Sequence, residues 1–338
     1  MMKKFLIGLL LATCGLADPH ILIAQTPAPA YNQYTRMAVP GNGGYDYLSL
    51  DTVNRRLYIS HGTSVNVLDL STGQLAGSVN NLQGVHGIAV ANDLNKGFIS
   101  DGKGNAVVVF DLGTLKVLQT ILITGKDPDA ILYDLFTHQV FAFNGDSQDA
   151  SVIDGQTMKQ TATIALGGTP EFAVSDGQGK LYNNLEDKSM LNVIDCKTLK
   201  VTNTYPLAPC GAPTGLALDK THQRLFTVCR QNKGMTVLDL MGKVITTVPI
   251  GSGADAVVYD GSTGMIYCSN GDGTATIIHQ DTSDHYTVVQ TLSTQWKAKT
   301  LALDPVTKTL YFSAFDLEGG NKNRVAGSFH LLIFKPKT

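Results

Sequence analysis

Pro213-Thr-Gly-Leu-Ala-Leu-Asp219, followed by Gln223-Arg-Leu-Phe-Thr-Val-Cys229 and Met235-Thr-Val-Leu-Asp239, reads as three short strands with turns between them. The first is rich in small residues and stops at a turn marked by Asp219. The second is β-branched and aromatic, and the third again ends in Asp. The pattern recurs in Tyr47-Leu-Ser-Leu-Asp51, Arg56-Leu-Tyr-Ile-Ser60 and Val65-Asn-Val-Leu-Asp69. Aligned on the turn position, copies fall at Asp51, Ala91, Asp134, Asp176, Asp219, Asp260 and Asp304, in steps of 40 to 44 residues. A repeat of about 40 to 50 residues with several short strands per unit is the signature of a β-propeller, one blade per copy. The seven copies predict an all-β, seven-bladed propeller.

The two ends of the chain fit the same reading. Later repeats close with a fourth strand, as in Val117-Leu-Gln-Thr-Ile121 or Val244-Ile-Thr-Thr-Val248. The seventh has Thr300-Leu-Ala-Leu303, Leu310-Tyr-Phe-Ser313 and Phe329-His-Leu-Leu-Ile333 and then stops at Thr338. Tyr34-Thr-Arg-Met-Ala-Val39, ahead of the first repeat, is the spare strand. It is expected to close the last blade, so that the ring has no open edge between first and last repeats. Asp69, Asp111, Asp154, Asp195 and Asp239 follow the third strands. They and the turn acids at the repeat positions are expected to cap backbone N–H groups, a structural role.

The domain reading is a leader over residues 1–30 and one propeller over 31–338. Lys3-Lys4, an apolar run from Phe5 to Ala12 and small residues after it form a bacterial-type export signal, and the run is too short to span a bilayer. Cleavage is placed near Ala17, Ala24 or Ala30. Leu11-Ala-Thr-Cys14 resembles a lipoprotein box, but Thr13 stands where Gly, Ala or Ser is normal, so ordinary cleavage is expected. The reading is therefore a periplasmic or secreted protein without a transmembrane segment, expected to be a monomer. A formal net charge of −2 gives no basic footprint for nucleic acid, and binding to it is not expected.

Leu57-Tyr-Ile-Ser60, Ile266-Tyr-Cys-Ser-Asn270, Leu310-Tyr-Phe-Ser313, Val85-His-Gly-Ile-Ala-Val90 and Pro128-Asp-Ala-Ile131 resemble the YVTN-repeat (YncE-like) propellers, over roughly residues 34–336. The resemblance implies a seven-bladed propeller outside the cytoplasm. It implies little chemistry, because that family spans surface-layer proteins, nucleic-acid binders, lactonase-like propellers and haem-carrying domains. No catalytic set of any of these is recognisable in the chain.

First-strand starts and second-strand ends share one face of a propeller, the entrance face. Five residues before each turn position stand Asp46, His86, Asp129, Glu171, Thr214, Asp255 and Lys299, six of them ionisable in a chain with only 16% charged residues. The second-strand ends add His61, Asp101, Asn144, Cys229 and Asn270. Taken singly, each reads as a solvated loop-mouth residue. Taken together they read as a ligand-binding ring of Asp46, His61, His86, Asp101, Asp129, Glu171, Asp255 and Lys299, because convergent like charges are costly without a cation or ligand. Asp46, His86, Asp129 and Asp255 offer ligands for a divalent ion. Oxygen ligands favour Ca²⁺ or Mg²⁺, and an added imidazole shifts the preference toward Mn²⁺ or Zn²⁺. HExxH, EF-hand, CxxC, CxxCH and GxSxG patterns are all absent, so the chemistry beyond binding stays open.

Cys210 enters the fifth repeat and Cys229 ends its second strand, so antiparallel pairing brings them to one end and predicts a disulfide in an oxidising compartment. Cys196 and Cys268 read as buried free thiols, and His138, His222 and His279 as surface or structural. Trp296, the single Trp, is expected to plug the surface of the next blade. The functional reading is a binding propeller that takes a small-molecule or protein ligand on its entrance face. The rival is a metal-assisted hydrolase or lactonase-like propeller, and a nucleic-acid binder is a weaker third.

Overall fold

The computed structural model describes residues 30–320 and 323–337. In blade 5, Pro213–Asp219, Arg224–Cys229, Gly234–Asp239 and Val244–Pro249 lie side by side in chain order as one antiparallel sheet. Its turns are made by side-chain capping. Asp219 Oδ1 accepts the N–H groups of Thr221 and His222, and Asp239 Oδ1 those of Met241 and Lys243. The same device recurs at Asp51, Asp134, Asp176, Asp260 and Asp304, and at Asp69, Asp111, Asp154 and Asp195. The repeated acids of the sequence are therefore turn caps.

Among the described residues there are seven such four-stranded sheets. The seventh is completed from the other end of the chain. Tyr34–Ala38 pairs antiparallel with His330–Phe334, Tyr34 opposite Phe334 and Ala38 opposite His330, outside Leu310–Ala314 and the innermost Leu301–Leu303. Each blade packs on the next through a hydrophobic layer of its own, giving seven layers in place of one central core. Second and third strands are apolar on both faces because both face such layers: Leu57, Tyr58, Ile59, Val65 and Val67 are fully buried. Inner strands crowd together at the axis. A Cβ at Gly215 would meet the backbone of Asp255 and Ala256 at 2.8 Å, so no larger residue fits there.

Cys210 and Cys229 are bridged, and Cys196 and Cys268 are free and buried. Replacing both bridged residues by Ser is expected to lower the unfolding free energy in urea by about 3 kcal/mol, the chain-entropy value for a loop of this length. A loss below about 1 kcal/mol would mean that the cross-link constrains the unfolded chain little. The expected leader lies outside the described residues except for Ala30. No helix among the described residues is long and apolar enough to cross a membrane.

Candidate functional site

The inner strands of blades 1 to 6 share an irregularity that places the ring. Pairing with the second strand slips between Tyr45 and Leu48, Val85 and Ile88, Pro128 and Ile131, Pro170 and Ala173, Pro213 and Leu216, and Ala254 and Val257. Each slip is a β-bulge, which leaves two residues without ladder partners and re-aims a side chain. The first bulge residue is Asp46, His86, Asp129, Glu171, Thr214 or Asp255, so one repeated backbone defect turns these side chains toward the axis. Buried side chains on the second strands satisfy the freed backbone groups. Ser60 and Ser100 Oγ accept the Asp46 and Gly87 N–H groups, Ser269 Oγ accepts that of Ala256, and Asn183 Nδ2 donates to the Glu171 carbonyl.

Blades 1 to 3 form an acidic cluster around one imidazole. His86 Nδ1 lies 2.7 Å from Asp46 Oδ2 and 3.4 Å from Asp129 Oδ1, and its Nε2 is 3.9 Å from Asp127 Oδ1. Burial works to lower the His86 pKa, but the Asp46 hydrogen bond and the charges of Asp129, Asp46 and Asp127 outweigh it and hold it at about 9. Asp129 moves up to about 7, through burial first and then the Asp46 charge, against His86. Its Oδ1 is buried and accepts no hydrogen bond among the described residues. Burial also lifts Glu171 well above the carboxylate range, with Asp129, Glu186 and Asp255 adding to the rise.

Blades 4 to 7 are built the opposite way, around a cation. Arg230 donates to Glu186 Oε1 and Asp255 Oδ1, each at 2.6 Å, and Lys299 Nζ lies 3.2 Å from Asp255 Oδ2. One guanidinium thus ties three blades together. Beneath both halves the Tyr47 and Phe172 rings, from blades on opposite sides of the ring, meet at 4.7 Å and close the channel. The Tyr47 phenol is buried among Asp129, Glu171, Asp46 and Asp255, and burial with those charges pushes its pKa far up. Below this floor the channel is apolar, a cavity of about 380 Å³ lined by Leu48, Leu50, Phe172, Val258, Leu303 and Pro305.

Several sequence expectations change in place or role. Ligand atoms of Asp46, His86 and Asp129 lie within 4.8 Å of one another, as a metal set requires. Asp255 does not join them, because Arg230 and Lys299 hold it. His61 is buried, with Nδ1 3.0 Å from the Pro40 carbonyl and its ring 4.3 Å from that of Phe329. Asp101 is buried and accepts the Gln83 and Gly84 N–H groups at 2.9 and 2.6 Å. Both second-strand ends therefore anchor loops and stand outside the ring. Thr214 is buried and donates to the Ala254 carbonyl. Trp296 remains 45% exposed, so it is only partly packed. His138, His222 and His279 pair locally with Asp93, Asp219 and Asp281, in keeping with structural roles.

Arg230, Glu186 and Asp127 were not singled out from the sequence. A signal for two of them exists one residue past the second-strand ends. That position is Gly62, Gly102, Gly145 and Gly271 in four blades and carries charge only at Glu186 and Arg230.

No protein-family model matches the chain. It is 29% identical over 165 residues to Antigen Lp49 of Leptospira interrogans serogroup Icterohaemorrhagiae serovar copenhageni (strain Fiocruz L1-130). That match covers 46% of this chain and 36% of the relative's length. Among solved structures, a chain of Kuenenia stuttgartiensis hydrazine synthase superposes with a TM-score of 0.71 at 15% identity, over 88% of this chain and 96% of that one. A chain of a mitotic checkpoint complex gives 0.77 at 13% over the whole of both. The Cps50 (Swd1) β-propeller domain of Myceliophteria thermophila gives 0.72 at 13%, over 91% of this chain and all of that domain. Likeness at such identities speaks to the propeller fold alone.

Proposed function

We propose that the chain is an exported, YVTN-type propeller that acts as a non-catalytic binding protein and takes a cation-bearing ligand at the entrance mouth. The observation that carries this reading is Asp129 Oδ1, buried without a hydrogen-bond partner beside Asp46 and Glu171. Leaving a buried acceptor unsatisfied costs about 1–3 kcal/mol, and a bound cation or a proton removes that cost. The disulfide and the residue 1–30 pattern support export, and likeness to a protein named as an antigen fits that placement. The alternative is a metal-assisted hydrolase, favoured by the Asp46, His86 and Asp129 grouping. Bound metal together with turnover of lactones or esters decides for it.

Calorimetric titration with Ca²⁺, Mg²⁺, Mn²⁺, Zn²⁺ and a primary amine tests the reading, and uptake of one of them with proton release near neutral pH is the expected result. Asp129→Asn is expected to lose that uptake. The apo protein should also respond to pH in a defined direction. Asp129 has a folded pKa of about 7 against an ordinary 3.8, so the folded state keeps a proton that the unfolded chain has lost. Its contribution to stability falls as pH rises from about 4 to 7. His86, at about 9 against 6.5, contributes stability that is full below 6.5 and lost as pH rises through 9. The melting temperature should therefore fall from pH 5 to 9, and Asp129→Asn should flatten the lower part of that fall. A melting temperature that climbs across the same range in cation-free buffer would refute the assignment.

A further inference from the structure

The connection between Leu310–Ala314 and His330–Phe334 is the longest joining any second and third strands, and it carries a hairpin of Leu317–Glu318 with Asn323–Arg324. This hairpin sets Arg324 at the rim of the mouth. The guanidinium carbon lies 5.5 Å from the Tyr45 ring centroid and 5.1 Å from that of Phe315. Those rings stack on each other at 5.4 Å, and Phe329 backs Tyr45 at 5.6 Å. A Cβ at Gly44 would come within 3.0 Å of Arg324 Nη1, so the side chain rests against the backbone just before Asp46. Gly44 and Asp46 stand two residue steps apart with only Tyr45 between them, about 7 Å of extended chain. The Tyr45 phenol between them is within reach of the charges of Arg324, Asp255 and Asp46.

The four cations of the mouth are not equivalent, and the first, the His86 imidazolium, sits between Asp46 and Asp129. Arg230 and Lys299 are committed to Glu186 and Asp255. Among the described residues the Arg324 guanidinium has neither a carboxylate partner nor a hydrogen bond, yet it lies against two aromatic rings. A pre-set guanidinium with free donors is suited to a carboxylate, which it binds in a fork of two parallel bonds. A lone metal ion would leave this arm unused, and a lone anion would face the acidic ring.

We propose that the mouth takes a dipolar ligand, an aminocarboxylate whose ammonium group enters beside Asp129 and Glu171 and whose carboxylate is held by Arg324. The proposal rests on the cation-binding reading and deepens it. Calorimetric titration with 6-aminohexanoate, hexylamine and hexanoate tests both. The native protein is expected to bind 6-aminohexanoate at least about tenfold more tightly than hexylamine, and hexanoate not at all. Arg324→Gln should bring 6-aminohexanoate to the value of hexylamine in the same variant, while hexylamine itself binds at least as tightly as to the native protein. Arg324→Lys, which keeps the charge and loses the fork, should fall between them. Equal binding of both amines by the native protein, or an unaffected Arg324→Gln protein, overturns the aminocarboxylate and leaves the cation reading standing. Failure of both amines to bind overturns the aminocarboxylate, and failure of the amines and of all four metal ions overturns the two readings together.

Discussion

Deleting residues 31–40 is expected to lower the melting temperature by at least about 10 °C and to promote association through the opened edge. The outer strand Tyr34–Ala38 is itself mostly exposed, so its value lies in what flanks it and in what it covers. Tyr31 is buried against Tyr267, and its phenol donates to the Lys308 carbonyl at 2.6 Å. Val39 is also buried, and its N–H donates to the Phe329 carbonyl. Each such side chain is worth about 1.5–3 kcal/mol in burial alone. With the strand ladder added, a loss of about 5 kcal/mol or more follows, at roughly 2 °C or more of melting temperature per kcal/mol. Removal also bares the His330–Phe334 edge, where the buried Leu331, Leu332 and Phe334 would flank unpaired backbone groups. Such an edge recruits other strands. Size-exclusion chromatography and thermal melts of the truncated protein decide the matter, and a monomer with unchanged melting would rule out this closure of the ring.

The legibility of the sequence followed physical range. Turn acids, apolar second strands and small inner-strand residues answer to contacts within a blade or to the next blade, and they repeat at a fixed period. One copy therefore reads all seven. The spare strand was legible for the same reason, because a missing fourth strand is a gap in a repeat. The mouth was legible only in part. Counting back from the turn located Asp46, His86, Asp129, Glu171 and Asp255, because the bulge that aims them recurs at one register. The bulge itself left no composition signal. Its trace is the buried Ser and Asn residues beneath it, which look like ordinary strand residues in sequence. His61 and Asp101 were misplaced because a polar side chain at a second-strand end does not reveal whether a backbone carbonyl or N–H lies within reach. Arg230 was missed because its partners, Glu186 and Asp255, are 44 and 25 residues away on neighbouring blades, a pairing with no period.

Arg230 also changes how the ring's electrostatics work. Four converging carboxylates with one Lys would demand an outside cation everywhere. With Arg230 between Glu186 and Asp255, that demand is confined to the Asp46, Asp129 and Glu171 side, where the His86 imidazolium meets only part of it. The two halves should therefore respond to substitution in opposite ways. Neutralising Asp129 relieves a carboxylate short of partners, whereas removing Arg230 strands Glu186 and leaves Asp255 with Lys299 alone.

Arg230→Ala is accordingly expected to destabilise the protein by about 3 kcal/mol at pH 8. That is the low end of the range for breaking a buried pair, because the guanidinium is 37% exposed and water screens part of the interaction. Asp255, only 7% exposed, would keep Lys299 at 3.2 Å, and Glu186 would lose its partner altogether. Near them Glu171 is already pushed up by its neighbours' charges. The loss should therefore be electrostatic and pH-dependent. Without the guanidinium, whose charge works to lower it, the Glu171 carboxyl takes up a proton more readily, so the deficit should shrink as pH falls from 8 to 5. Arg230→Met keeps most of the aliphatic stem and should show the same pH-dependent deficit, which separates charge from packing. Urea unfolding of both variants at the two pH values measures this, and an equal deficit at pH 5 and pH 8 would assign Arg230 to packing. Ligand binding should move the other way. A mouth stripped of its internal cation is more negative, so a primary amine should bind Arg230→Ala more tightly than the native protein, and the variant should regain stability as the amine saturates it.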